Sequence, residues 1–478
     1  MLRPLFAALL LAGVSGHVAA NTDLMTIYQE ALLNSADLAA AQADTRARQE
    51  ALPQARSQLL PNIGIGAGAS REDIDIDGVG GDRYNTHYYQ ASLTQPLFRA
   101  NRWFDYQSAK SLSQQAELEF SATQQNLILE VSQAYFNVLR ASDNLATAKA
   151  EEDAFERQMQ QAQERFDVGL SARTDVLEAR AGYDTARAAR LTAKTNLDVS
   201  YQALTRLTNQ DYDSLYGISH ELPVLPPSPA NLQQWVETAS TQNLNLLASR
   251  YAIDSAEDGL RSSKAGYAPV VDAFVRYTDT NGGAEIARAG QSANDTALTS
   301  FGVELTMPLF TGGLTTSQVR ESTYRLTQAE QLSEAQKRRV VESTRNLYRT
   351  VTSSVDEIDA RRQAIVSAKA ALDATQTGYE VGTRNVVDVL ESQRNLFRTV
   401  RDYNTSRYNY IIDNLSLKQS AGTLSPQDLE ELSKWLIPDY DPDRDFIPEP
   451  TEEEIERMSM GRQTPSRSTD NSSTGSTF

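Results

Sequence analysis

"HYYQASLTQPLF", residues 87–98, alternates: Tyr89, Ala91 and Leu93 fall on one side, Tyr88, Gln90, Ser92 and Thr94 on the other. Period two marks a strand with unlike faces. At about ten residues the stretch has the length of a tilted strand crossing a bilayer. Behind Pro96 the next 126 residues contain no proline. That run is rich in Ala, Gln, Glu, Arg and Leu, which favour helix. A membrane-length strand therefore leads directly into a very long helical segment.

Three further stretches carry the same alternation. In "PNIGIGAGAS" (61–70), Ile63, Ile65, Ala67 and Ala69 alternate with glycine. At 268–278, Val271, Ala273, Val275 and Tyr277 oppose Asp272, Phe274 and Arg276. At 299–310, Phe301, Val303, Leu305 and Met307 oppose Gly302, Glu304 and Thr306. Polar loops are expected between the members of each pair, over "REDIDIDGVGGDRYNT" and near 279–298. Asp272, Arg276 and Glu304 would line the interior of a barrel or the wet face of a sheet. "GIGAGAS" ends in a strand pattern and opens no helix, which argues against a phosphate-binding loop.

A second proline-free run of 117 residues separates Pro308 from Pro426. Each run holds one glycine at a comparable place, Gly169 and Gly382, suited to the left-handed turn that stops a helix. Each run thus reads as a long helix, over about 100–167 and 314–379, a tight turn, and a helix back. At 1.5 Å per residue the outgoing helices approach roughly 100 Å. Apolar residues recur at three, four and seven (Leu127, Val131, Val138, Leu145; Phe397, Val400, Tyr408, Ile411), as in coiled coils.

The chain also repeats itself. "LTQPLF" (93–98) returns as "LTMPLF" (305–310), and "VGLSARTDVLEA" (168–179) returns as "VGTRNVVDVLES" (381–392). A tandem duplication, 21–229 and 230–425, joined by the proline-rich "ELPVLPPSPA" (221–230), accounts for this. Residues 1–20 read as an export signal, with Arg3, an apolar "LFAALLLAGV" and small residues at 18–20. Residues 426–478 are expected to form an equatorial segment and an acidic tail. The nine acids and one arginine of 439–456, followed by a Ser/Thr-rich end, suggest a solvated, disordered segment.

Composition narrows the function classes. The formal charge of −18, or −19 without Arg3, lacks the basic balance of a nucleic-acid binder. There is no cysteine for a disulfide or a lipid anchor, and the histidines His87 and His220 lie far apart. This argues against a transition-metal site, a histidine-based catalytic triad and any cofactor. An outer-membrane enzyme would need a nucleophile with a positioned base, and no Gly-x-Ser-x-Gly motif occurs. A trimeric coiled-coil adhesin would carry a single terminal anchor instead of strands interleaved with helices.

Four strands cannot close a barrel, and open sheet edges are not tolerated in lipid. Several copies are therefore expected to share one barrel, with the helices continuing below it.

The signal, the duplicated halves, "RFDVGLSARTDVLEAR" and "GYEVGTRNVVDVLESQRNLF…RYNYIIDNLSLKQSAGTLS" resemble the TolC family of outer membrane factors. These are efflux and type I secretion ducts of Gram-negative bacteria. The resemblance implies an α+β membrane protein, a homotrimer whose twelve-stranded β-barrel, four strands per chain, continues into a long α-helical coiled-coil barrel through the periplasm. It implies an equatorial belt built from 208–230 and the segment after the last helix. It implies export of drugs, small molecules or proteins, with a periplasmic adaptor (membrane fusion) protein and an inner-membrane RND or ABC transporter as partners.

Residue by residue, the resemblance makes Asp388 and Glu391 the acidic ring of the pore constriction. Thr174, Asp175, Tyr379 and Arg384 become a gate latch, and Gly169, Leu170, Gly382 and Thr383 the periplasmic turns that meet the adaptor. Many family members have aspartate at both ring positions, so Glu391 departs from the pattern. The residues allow a plainer account: acids near a helix N-terminus favour its dipole and face water.

Overall fold

The computed structural model describes residues 22–76, 80–282 and 296–448. The export signal, most of the loop near 279–298 and the chain beyond 448 lie outside the described residues. The elements run α1 (Leu24–Asn34), α2 (Ala36–Gln49), α3 (Ala51–Ser57), β1 (Asn62–Ile76), β2 (Gly80–Phe98), α4 (Ala100–Asp167), α5 (Arg173–Thr208) and β3 (Gly217–Ile218). They continue with α6 (Leu232–Gln242), α7 (Leu244–Ala265), β4 (Val270–Asn281), β5 (Thr296–Thr306), α8 (Leu314–Glu380), α9 (Val386–Ala421), α10 (Pro426–Ser433), β6 (Leu436–Ile437) and α11 (Pro442–Asp445). Short helices, a strand hairpin and a long helix hairpin thus occur twice in the same order.

The long helices α4 and α8 have 68 and 67 residues. At 1.5 Å per residue each is about 100 Å long. No described helix is long and apolar enough to cross a membrane. The two strand hairpins join through β2 and β4 into one antiparallel sheet, in the order β1-β2-β4-β5. Within the described residues β1 and β5 each have one unpaired edge.

The strands differ from expectation in length. β1 and β2 extend to 15 and 19 residues, so most of the polar stretch expected as a loop at 71–86 is paired strand. Backbone pairing continues there with polar side chains bridging across it: Arg83 to Asp73 at 2.7 Å and Tyr84 to Glu72 at 2.7 Å. In the second half the strand stops at Thr306, and "PLF" (308–310) lies outside it, before a turn made by Gly312 and Gly313 with φ of 64° and 88°.

Register aligns the faces across all four strands. Ile63 pairs with Leu93, Leu93 with Val275 and Val275 with Phe301, in one apolar row. Phe301 is 81% exposed and Ile65 88%. The apolar face continues through Tyr277, Val303 and Leu305. The opposite face carries Ser92, Thr94, Asp272, Arg276 and Glu304, with glycine making room for rings: Tyr88 lies over Gly68 and Phe274 over Gly302.

The core lies where α4 and α9 cross beneath α1. Tyr135, Phe136, Tyr403, Tyr408 and Ile411 are buried there with Leu24 and Ile27. Residues 439–446, expected in a disordered tail, are folded into this level together with Leu436 and Ile437 before them. β6 pairs with β3, Tyr440 and Phe446 are buried, and Asn404 donates to the Phe446 carbonyl at 2.8 Å. The aromatic anchors outweigh the acidity of their neighbours. α9 ends at Gly422, whose φ is 77° and where a Cβ would lie 2.3 Å from the Gln242 carbonyl. Gly422→Ala should therefore lower unfolding stability by about 2 kcal/mol, readable by thermal melting in detergent.

Candidate functional site

The two helix hairpins end in matching turns. At the first, Gly169 takes φ 77° and Leu170 N–H donates to the Arg165 carbonyl at 2.7 Å. At the second, Gly382 takes φ 80° and Thr383 N–H donates to the Gly378 carbonyl at 2.8 Å. Both close the orphan carbonyls of a helix end by a left-handed residue. They leave an apolar tip: Val168, Leu170 and Val381 are each 70% exposed.

The acids open the return helices. Asp388 N–H donates to Asn385 Oδ1 at 2.8 Å, and Asp388 Oδ2 accepts from Asn385 N–H at 3.3 Å. Asp175 Oδ2 likewise accepts from Ala172 N–H at 3.3 Å. Asp388 and Asn385 thus cap the helix reciprocally, whereas Asp175 caps one way only, because Ala172 has no side-chain oxygen to accept in return. Capping leaves Asp388 half-buried, while Glu391, three residues on, is exposed.

The sequence suggested that Arg384 grips Asp175. Within the chain, Arg384 Nη1 instead lies 3.9 Å from Asp388, and no ion pair joins it to Asp175 among the described residues. Arg384 itself is 62% exposed. Tyr379 is brought close enough to Asp175 to feel its charge. Burial raises its phenol above the ordinary value; Arg165, stacked 4.8 Å over its ring, works against this, and Asp175 adds to it. The Tyr379 hydroxyl is buried with no hydrogen-bond partner among the described residues. An unpaired buried donor is costly. Thr174 is exposed at the same turn.

Several residues here carried no sequence signal. Tyr379 packs with Phe155, Ala186, Val386, Val389 and Leu390 in a small core at the tip. Gly182 leaves room for the Phe155 ring, over which Arg394 stacks at 5.3 Å. Higher up, adjacent acids of α4 reach in different directions. Glu151 binds Arg401 of α9 at 2.8 Å, and Glu152 binds Arg190 of α5. The second pair ties the two arms of the first hairpin, whereas the first forms only because the two hairpins lie together.

At the other end, Arg99 forks onto Asp272 at 2.8 and 2.6 Å, where strand passes to helix. Asp272 and Glu304 are register partners, so Arg99 offsets the repulsion of two opposed acids. Arg276 lies on the same face, its guanidinium 5.9 Å from the Phe274 ring. Among the described residues no group of three acids, histidines or cysteines gathers to hold a metal.

A sheet with an exposed apolar face at one end, and long helix hairpins reaching away to an acidic turn at the other, defines an outer-membrane duct with a periplasmic extension. The sequence matches the outer membrane efflux protein family over residues 27–210 and 235–423. Outer membrane protein TolC of Vibrio cholerae is 36% identical over 437 residues, covering 91% of this chain and 98% of that one. The alkaline protease secretion protein AprF of Pseudomonas aeruginosa is 26% identical over 430 residues, 88% of this chain and 89% of its own. The crystal structure of VceC from Vibrio cholerae superposes with a TM-score of 0.72 at 19% identity, over 84% of this chain and 96% of that one. The chain belongs to the outer membrane efflux protein family. It resides in the outer membrane, reaches into the periplasm, and serves as the exit duct of an efflux or type I secretion system.

Proposed function

We propose that three copies close a twelve-stranded barrel and a common helical tunnel, and that the tips of the hairpins gate it. The observation carrying this reading is the sheet: four strands, a free edge on each side among the described residues and an exposed apolar face. The face suits lipid, but the two open edges are not tolerable there in a lone chain. Three chains give a barrel wide enough for a lumen, whereas two give one filled by side chains.

The duct is passive. A periplasmic adaptor docks on the apolar turns around Leu170 and Thr383, and an inner-membrane RND or ABC transporter supplies the energy. Cargo comprises drugs, other small molecules and proteins; a relative named for alkaline protease secretion supports the last. Asp272, Arg276 and Glu304 line the lumen. Asp388 and Glu391 of three copies form an acidic constriction. Two charges about 6 Å apart repel by roughly 0.7 kcal/mol in water and more in a narrow site, so the ring holds cations. Tyr379 and Asp175 form the latch within a copy. Arg384, exposed and only loosely paired, reaches with Thr174 across the seam between copies.

Single-channel recording of the purified chain in a planar bilayer tests this. Small cation-selective conductance, blocked by multivalent cations from the periplasmic side, is expected. Asp388→Ala with Glu391→Ala should remove the block, and Arg384→Ser should raise conductance. Block that persists in the double variant would remove the acids from the constriction. A monomeric mass in detergent, with conductance retained, would overturn the trimer.

A further inference from the structure

The flanks of a single chain carry opposite charge at the same level. α4 packs between α5 on one side and α7 and α9 on the other, and α8 packs on α7 and α9. α8 is therefore one outer flank, and α5 with α1 and α2 is the other. Closing a ring of copies, the reading proposed above and on which this inference rests, sets α8 of one copy against α5, α1 and α2 of the next.

On α8, Arg338, Arg345 and Arg349 recur at seven and four on one face, turned away from buried Val340, Thr344 and Val351. Arg338 is paired with Glu334 at 2.9 Å. Arg345 and Arg349 are exposed and have no ion pair among the described residues. On the other flank, Asp211 and Asp213 are exposed in the link between α5 and β3, and the Asp37 side chain is 83% exposed. Asp37 lies 3.5 Å from Arg206, and Asp211 and Asp213 have no ion pair among the described residues.

The levels match. Thr344 bonds Ser420 at 2.8 Å, and the adjacent Gln419 bonds Asn126 of α4 at 2.5 Å, which sets Thr344 beside Asn126. Arg349 is five residues further down, roughly 7 Å. On the other side Tyr135 of α4 bonds the Tyr216 carbonyl at 2.6 Å, just past the aspartates. Arg349 thus stands at the height of the acidic link, and rotation about a common axis keeps that height.

We infer that neighbouring copies are keyed to one another at this level by Arg345 and Arg349 of one copy against Asp37, Asp211 and Asp213 of the next. Exposed pairs are individually weak. Repeated at every seam, they fix which flanks meet and at what register, which is what complementary charge does best.

The chain lacks cysteine, so introduced thiols can be read cleanly. The native mass of the unsubstituted full chain in detergent is measured first; a monomer there would overturn the three-copy reading and this inference with it. Arg349→Cys combined with Asp213→Cys, treated with a short bismaleimide, should give covalent trimer on a denaturing gel, and either single variant none. A trimeric native mass with no cross-link would overturn the seam alone. As a second measurement, Arg345→Glu with Arg349→Glu should lower the trimer-to-monomer ratio by about tenfold at low salt. Adding Asp211→Arg and Asp213→Arg to the same chain should restore it. A ratio unmoved by the first reversal, or not restored by the second, would overturn the keying.

Discussion

Phe301→Arg is expected to keep the chain out of the outer membrane, whereas Glu304→Arg, three residues away, is expected to insert like the parent. Phe301 lies in the row Ile63–Leu93–Val275–Phe301 and is 81% exposed in a single chain. From Ala297 to Leu305 the apolar face runs roughly 27 Å along the strand at 3.4 Å per residue, about 20 Å in height at a barrel strand's tilt, which fills most of the lipid-facing band. Phe301 sits midway. A charge there costs about 2–4 kcal/mol per chain at the bilayer midplane, and a barrel of three copies carries it three times. Glu304 points to the other face, beside Asp272, where an arginine meets water and an acid. Membrane fractionation of the two variants, with the parent alongside, separates the faces. Equal yields in the outer membrane would mean that the exposed apolar face is not the lipid face.

The long elements were legible because proline, glycine and alternation act locally. Two proline gaps and two glycines place α4 and α8 within a residue or two and start the return helices α5 and α9, but α5 stops at Thr208, well before Pro223, at a left-handed Asn209 that the gaps do not mark. The alternation at 87–98 and 268–278 gave the sheet faces for the same reason. The outer part of the first hairpin was not legible. Asp73, Arg83, Glu72 and Tyr84 put polar groups on both faces, and the alternation of Ile74 and Ile76 with aspartates is out of phase with that of Ile63 and Ile65, so pairing with the opposite strand is what makes the stretch continuous strand. The acidic pairs were found from spacing, but within the chain the first acid of each, Asp175 and Asp388, is engaged locally at the helix start. Arg165 over Tyr379 and Arg394 over Phe155 depend on helices far apart in sequence, so no window of residues could hold them. The fold of 439–446 was masked by charge: composition counts aspartates, while Tyr440 and Phe446 decide the packing.

Asp143 and His220 make a further prediction, because burial moves them in opposite directions. Asp143 is fully buried on α4 and accepts hydrogen bonds from Tyr408, at 2.8 Å, and from Tyr440. Burial raises its carboxyl from 3.8 to about 6, although both tyrosines and Arg407 pull it down. His220 accepts from Arg407 at 2.8 Å through Nδ1, which leaves Nε2–H to donate to the Asp445 carbonyl at 2.8 Å. Burial and the Arg407 charge lower it from 6.5 to about 4. Folded Asp143 keeps a proton that the unfolded chain has released, so its contribution favours the fold below pH 4 and fades as pH rises through 6. Folded His220 lacks a proton that the unfolded chain holds, so its contribution favours the fold above pH 6.5 and fades as pH falls through 4. Each is worth about 3 kcal/mol by linkage, and over this window they nearly cancel. Asp143→Asn should expose the histidine alone. Its amide can accept from one tyrosine and donate to the other, so the packing is kept. Hydrogen exchange in 435–447, corrected for the intrinsic rate, should then quicken about a hundredfold from pH 6.5 to 4, the equivalent of those 3 kcal/mol. His220→Gln should show the opposite slope, and the double variant should be as flat as the parent. Protection independent of pH in both single variants would mean that neither group changes its proton on opening, and that the segment is held by Tyr440 and Phe446 alone.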